Sequence, residues 1–257
     1  MQVVILCGGL GTRLREETEF RPKPMVPIGD RPILWHIMKI YAHYGHKEFI
    51  LCLGYKGEVI KDYFRNYHWN TSDVTLRLGR APKITYHTEH DEEDWTVTLL
   101  DTGLETQTGG RLQRALPFIN GGTFLFTYGD GLTDSDIDKS IQFHQQHGAL
   151  ATVTAINPTG RFGELGMDGQ TITAFHEKPE KDSAFVSGGY FVFHKSIGKY
   201  LDGDQCVLEK QPLEQLARAG QMKAYCHRGF WQCMDTYREQ ELLNKMWASG
   251  QAPWKIW

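Results

Sequence analysis

The sequence predicts a three-layer α/β/α sandwich on a mostly parallel mixed sheet with small β-rich additions. Three observations carry that prediction. Short apolar runs alternate with longer amphipathic segments through the first half of the chain; strands alternating with helices pair in parallel, because each crossover helix returns the chain to the same end of the sheet. The intervening turns are short. The 257 residues, 40% of them hydrophobic, suffice for one large core.

Residues 3–6 (Val-Val-Ile-Leu) end in glycines, the pattern of a buried strand feeding a loop. Residues 33–44 carry apolar side chains at 33, 34, 37, 38, 40 and 41, a helical stripe, and Gly45 is placed to end it. Residues 49–53 form the next strand. Residues 58–67 read as a second helix with Val59, Ile60, Tyr63, Phe64 and Tyr67 on one face. Strands are expected at 97–100 and 124–128, and a helix at 135–147. From about Ala149 the character changes: β-like runs at 151–156, 171–175, 190–193 and 223–226 are broken by Gly and Pro, before a helix at 237–248 and an aromatic tail at 254–257. A single domain over 1–257 is expected, with halves at about 1–148 and 149–236 sharing one sheet and 237–257 as helix and tail.

Composition excludes several classes. Lys and Arg number 28 against 31 Asp and Glu, a net charge of −3, so the cationic footprint of a nucleic-acid binder is missing. Five scattered cysteines, never spaced C-x-x-C, argue against a disulfide framework or a cysteine zinc site. The first residues are apolar only briefly and lack a basic leader, so a cytoplasmic protein without a membrane span is expected.

In open α/β sheets ligands bind beyond the carboxyl ends of the strands, which directs attention to the loops after Leu6, Leu100 and Tyr128. Gly8-Gly9-Leu10-Gly11-Thr12-Arg13 follows the first strand directly. Glycines let the backbone approach an anion and present successive N–H groups to it, and Arg13 adds a planar charged fork. Lys23 stands between Pro22 and Pro24, where restricted φ values lower the freedom lost on gripping a phosphate. A dinucleotide fingerprint would need glycine where Leu14 stands, and a P-loop would need Gly-Lys-Ser/Thr.

Two acids are the candidate ligands of a hard cation. Asp130 lies between glycines at the end of the 124–128 strand; Asp235 follows Phe230-Trp231-Gln232-Cys233-Met234. Each has a plainer reading, Asp130 as a turn former and Asp235 as a helix N-cap. Asp101 competes with them and is ranked as a loop residue. The His87-Thr88-Glu89-His90 stretch, with the acids of 91–94, reads as a solvated connection rather than a metal cluster. Cys7 has no evident base and reads as packing, and Trp254 and Trp257 read as docked rather than frayed.

GGxGTR, then Thr18, then Pro22-Lys23-Pro24-Met25 and Pro27 resemble the signature of the sugar-phosphate nucleotidyltransferases over nearly the whole chain. Arg15-Glu16-Glu17-Thr18 is similar to the cytidylyl branch, where uridylyl and thymidylyl members carry a proline. The resemblance implies a Rossmann-like fold with a nucleotide-binding first half and sugar-binding β-rich additions in the second. It implies CMP transfer from CTP to glucose 1-phosphate with release of pyrophosphate, a step toward dideoxysugars of surface polysaccharide. Arg13, Lys23 and Asp130 would be catalytic, with Mg²⁺ held by Asp130 and Asp235. The nucleotide would meet Leu6, Cys7, Gly8, Gly9, Leu10, Gly11, Thr12, Arg13, Lys23, Thr106, Gly110, Arg111 and Gly129. The sugar phosphate would meet Tyr128, Glu177, Lys178 and Gly188, with Arg161-Phe162-Gly163 as a neighbouring hairpin. A homo-oligomer is implied, a hexamer being one candidate. Uridylyl or thymidylyl transfer is the alternative chemistry, and a non-catalytic nucleotide-sugar-binding regulatory subunit the alternative class.

Overall fold

Seven strands form the central sheet of the computed structural model: β1 (Gln2–Leu6), β2 (Glu48–Leu53), β3 (Thr96–Asp101), β4 (Thr123–Tyr128), β5 (Ala151–Ile156), β6 (Val186–His194) and β7 (Met222–His227). The structure describes residues 1–87, 94–157, 164–168, 171–176 and 185–257, with backbone alone for 164–168 and 171–176. Spatial order is β7-β5-β6-β4-β1-β2-β3. β1 runs parallel to β2 and β4, β2 to β3, and β5 to β7. Only β6 opposes its neighbours, β5 and β4. The sheet is therefore mixed and mostly parallel, and strands from both halves of the chain share it.

Helices α1 (Ile33–His43), α2 (Gly57–Arg65), α3 (Thr108–Ala115), α4 (Ile137–His147), α5 (Gln211–Arg218) and α6 (Tyr237–Ala248) flank it. Val3 and Ile5 join one buried cluster with α1, while Val4 and Leu6 join a second with Leu112 of α3 and Leu216 of α5. Burial on both faces explains why β1 is an unbroken apolar run rather than an alternating one.

Three elements depart from expectation. The helix expected over 58–67 stops at Arg65, and a short turn of helix, Tyr67–Thr71, follows; the apolar stripe survives the break, because Tyr67 stays buried and its hydroxyl accepts from Trp35 Nε1 at 3.1 Å. Helix α5 lies between the β-like runs 190–193 and 223–226, where no element is expected; with eight residues and a proline in its first turn, its signal is short and mixed with turn formers. An unforeseen hairpin, Val74–Arg77 with Lys83–Tyr86, exposes Leu76, Leu78, Ile84 and Tyr86. A second hairpin, Glu164–Asp168 with Thr171–His176, adds backbone beside the second half.

The C-terminal tail is docked on the body. Trp254 is fully buried, stacked on Phe230 at 5.5 Å and donating to His36 Nδ1 at 3.4 Å. Among the described residues no helix is long and apolar enough to cross a membrane.

Candidate active site

Leu6 of β1 and Tyr128 of β4 are partners in register, so the loops leaving these strands lie side by side. They open into a cavity of about 440 Å³ lined by residues 6–13, Lys23, Pro24, residues 104–108, Arg111 and residues 128–130. Leu6, Cys7, Gly8, Gly9, Leu10, Gly11, Thr12, Arg13, Lys23, Thr106, Arg111 and Gly129 all border it. Gly11 turns the loop in the left-handed region at φ 63°, where glycine is favoured. Cys7 is fully buried, and burial followed by Cys52 pushes its thiol well above the ordinary value. A protonated thiol is no nucleophile, which agrees with its packing role.

Gly110 is placed differently from the expectation. It does not border the cavity; it sits inside α3, where a Cβ would lie 2.8 Å from the Asp204 Cα. Its missing side chain admits the Asp204 backbone, which gives this position a packing reason to be glycine.

Arg111 is used internally. Its guanidinium donates to the carbonyls of Leu53 (2.9 Å), Gly103 (2.8 Å), Gly8 (3.1 Å) and Leu104 (3.1 Å) and to Thr102 Oγ1 (2.7 Å). The residue is 5% exposed, and burial draws its pKa below the ordinary value. Gly8 must be glycine here, since a Cβ would lie 2.1 Å from Arg111 Nη1. The arginine thus ties the glycine loop to the ends of β2 and β3.

Residues far apart in sequence converge on Lys23. The strand Trp231–Cys233 pairs antiparallel with Gly131–Thr133, and Met234 N donates to Asp130 O at 2.8 Å. This short ladder brings Asp130 and Asp235 together. Lys23 Nζ donates to Asp130 Oδ2 at 2.7 Å and also to Asp235 Oδ1. Arg13 Nη1 donates to Asp235 Oδ2 at 2.7 Å. Burial alone would raise the Asp235 carboxyl and lower the Lys23 ammonium. The Lys23 hydrogen bond and charge, backed by Arg13, outweigh burial and hold the Asp235 pKa below its usual value; the charge of Asp130, joined by hydrogen bonds from both acids, lifts Lys23 above its own. The plainer reading of Asp235 as an N-cap is not what the structure shows, because Thr236 caps α6. Glu239 Oε2 instead accepts from the backbone N–H groups of Asp235 and Thr236 at 2.7 and 2.9 Å. Asp101 accepts from Gly103 N at 3.0 Å and borders neither this cavity nor the next.

A second cavity of about 220 Å³ adjoins the first, bordered by Thr127, Tyr128, Asp130, Gly131, residues 187–189, Glu209 and Trp231. Tyr128 and Asp130 belong to both. Trp231 Nε1 donates to Gly188 O at 2.7 Å, fixing that wall. Glu209, which sequence reasoning did not single out, accepts from Tyr128 Oη and from Thr108 Oγ1 at 2.6 Å. No motif marks it; only its place in the fold does. Glu177, Lys178 and Arg161-Phe162-Gly163 lie outside the described residues, as do 88–93 of the histidine-acid stretch.

The donor chemistry suits a hard divalent cation. Asp130 and Asp235 offer oxygen ligands and already converge on one cationic group, the Lys23 ammonium. Mg²⁺ is commonly bound by one or two carboxylates plus substrate phosphates. Among the described residues no cluster of three or more His, Cys, Asp or Glu is placed to hold a metal, so phosphate and water oxygens would complete the shell.

Residues 2–237 match the family profile described as "Nucleotidyl transferase". The chain belongs to the nucleotidyl transferase family. Within that family it is 50% identical to the glucose-1-phosphate cytidylyltransferase of Salmonella typhi and 45% identical to the probable glucose-1-phosphate cytidylyltransferase of Bacillus subtilis (strain 168), covering 100% of both chains in each case. Two solved nucleotidyl transferase-like folds superimpose on it at a TM-score of 0.69: HddC from Yersinia pseudotuberculosis complexed with GMP-PN (21% identity, 96% of this chain and 99% of that one) and UDP-glucose pyrophosphorylase complexed with UDP-glucose (14%, 97% and 98%). At these identities the superpositions speak for the fold.

Proposed function

We propose that this enzyme transfers CMP from CTP to α-D-glucose 1-phosphate, releasing pyrophosphate and forming CDP-glucose. The observation that carries the reading is the convergence of Lys23, Asp130, Asp235 and Arg13 beside a glycine loop, in a chain half identical from end to end to a glucose-1-phosphate cytidylyltransferase. The larger cavity, built mainly from residues 1–148, takes the nucleotide. The smaller, which draws on residues 149–236, takes the sugar. Residues 237–257 brace the Asp235 side.

The attacking phosphate oxygen is ionised near neutral pH, so no general base is required. The barrier lies in bringing two polyanions together and in the charge that develops on the departing pyrophosphate. The N–H groups of residues 8–13 and the Arg13 guanidinium hold the triphosphate. Lys23 stands between the two substrates and offsets their repulsion. Asp130 and Asp235 would hold Mg²⁺, which would supply Lewis-acid charge when bound. Adjacent cavities sharing Asp130 hold the reactants for in-line displacement, and positioning of this kind lowers the barrier by several kcal/mol. A backbone carbonyl of Glu105 or Thr106, in the wall of the larger cavity, would be an acceptor of the kind the cytosine N4 amine needs. A requirement for CTP supports a cytoplasmic location. The exposed apolar side chains of the 74–86 hairpin support a homo-oligomer, for which a hexamer is a size to test by light scattering.

Pyrophosphate release measured over a grid of NTPs and sugar 1-phosphates tests the reading. CTP with glucose 1-phosphate should give the highest kcat/KM; a preference for UTP or dTTP would overturn it.

A further inference from the structure

We propose that Glu209 is a specificity-determining residue of the smaller cavity, its carboxylate accepting hydrogen bonds from hydroxyls of the hexose ring. This rests on the cytidylyl-transfer reading and deepens it by assigning a residue that no motif marks. Glu209 borders only the smaller cavity, whereas Tyr128 and Asp130 border both. Its side chain is exposed to that space, and each carboxylate oxygen holds one internal partner, Tyr128 Oη on Oε1 and Thr108 Oγ1 on Oε2. An ionised carboxylate accepts about four hydrogen bonds and donates none, so capacity for hydroxyl donors remains after both internal bonds. A pyranose presents such donors on neighbouring carbons.

Charge gives the cavity pair a direction. Arg13 and Lys23 border the larger cavity and not the smaller, whereas the Glu209 carboxylate borders the smaller and not the larger. A sugar 1-phosphate is an anion at one end and a neutral polyol at the other. Glu209 repels the first end and binds the second, so the ring turns toward Glu209 and the phosphate toward Lys23. The internal partners fix the carboxylate for this role. Thr108 opens α3 and also accepts from Leu208 N at 2.9 Å, which anchors the 208–209 backbone to the wall of the nucleotide cavity. Held on both sides, the acceptor is oriented before the sugar arrives, and a preorganised group binds with less ordering.

The test is calorimetric titration of CDP and of CDP-glucose into the wild-type enzyme with Mg²⁺, then into Glu209→Gln, Tyr128→Phe and Thr108→Ala. Wild type should bind CDP-glucose more tightly than CDP. In Glu209→Gln that preference should shrink about tenfold, with CDP affinity within twofold of wild type. Tyr128→Phe, which loosens the carboxylate without removing it, should shrink the preference by less. Thr108→Ala should weaken both ligands together and keep most of the preference. Equal affinity of wild type for the two ligands, or an unchanged preference in Glu209→Gln, overturns the proposal. So does a Glu209→Gln enzyme in which both affinities fall equally. A wild-type enzyme that binds UDP but not CDP would overturn the underlying reading instead, and the same pair of titrations with UDP-glucose would then decide Glu209 separately.

Discussion

Two arginines border the larger cavity and do opposite things. Arg13 has a side chain 72% exposed and meets one carboxylate, Asp235. Arg111 is 5% exposed and meets four carbonyls and a hydroxyl, with no acid among its hydrogen-bond partners. The first belongs to a group of charges that face one another and can be re-paired by an incoming ion. The second is held by fixed backbone dipoles and one hydroxyl. A phosphate-transfer site needs both kinds of region, one to exchange partners and one to stay still.

The comparison breaks most visibly at the exchanging centre. Asp130→Asn should lower kcat/KM by about 10³-fold or more, since removal of one strong electrostatic contact at a transition state is typically worth that much. Unfolding midpoints should stay near wild type, because Asp130 is partly exposed and stands at a loop. Steady-state kinetics beside a thermal melt separates the two effects. Wild-type turnover at saturating Mg²⁺ in the variant would remove Asp130 from the centre. At the static hub the pattern should invert: Arg111→Leu leaves buried acceptors unpaired and should lower stability by about 3 kcal/mol. A drop of roughly 6–12 °C in Tm is expected for a chain of this size. If Arg111→Leu melted like wild type and lost only nucleotide affinity, the assignment of Arg111 as scaffold would fail.

The same contrast decides what the sequence could disclose. The exchanging centre was largely legible, because phosphate chemistry demands particular residue types: the glycines before Arg13, the prolines around Lys23 and the isolated acids at 130 and 235. The strands were legible too, since burial on both faces leaves apolar runs such as Val3–Val4–Ile5–Leu6 that resist other readings. The static hub was not. Arg111 stands in sequence among residues expected to meet the nucleotide, and only the packed structure reveals that its two terminal nitrogens are bonded to carbonyls and a hydroxyl. At Gly110 the sequence does not disclose the packing constraint, since a glycine needed against Asp204 looks like a glycine needed at a ligand. Glu209 was invisible for a third reason. Its partners, Thr108 and Tyr128, come from distant elements and leave no local pattern. The plainer reading of Asp235 as a helix N-cap falls away, because Thr236 and Glu239 form the capping box of α6 and leave the Asp235 carboxylate to Lys23 and Arg13.

A smaller effect would sharpen the idea of exchange itself. Lys23 holds both acids, so a divalent cation arriving alone competes with an ammonium for the same oxygens. In Lys23→Met the competitor is gone, and Mn²⁺ binding without nucleotide, followed by electron paramagnetic resonance, should tighten about tenfold. Turnover should fall in the same variant, because the cation between the two substrates is lost. Weaker Mn²⁺ binding in Lys23→Met would mean that the lysine builds the site rather than shares it.

The smallest expected effect is on the pH dependence of stability. The Asp235 pKa is depressed in the fold, so its contribution is fully present above the unfolded carboxylate value of about 3.9. It is lost as pH falls through the lower folded value. Lys23 is raised, so its contribution is complete below the unfolded value of about 10.4 and is lost only as pH rises through the higher folded one. Between these limits the contributions of Lys23 and Asp235 are insensitive to pH. The difference in unfolding free energy between wild type and Asp235→Asn should therefore be flat from about pH 5 to 9 and shrink below about pH 4. Its size should be near 1 kcal/mol, as for a partly exposed ion pair. Arg111 supplies the control: its partners do not titrate, so the deficit of Arg111→Leu should hold constant across the same range. A deficit in Arg111→Leu that vanished in acid would mean that the static hub depends on a charge partner after all, and the division between the two regions would lose its physical basis.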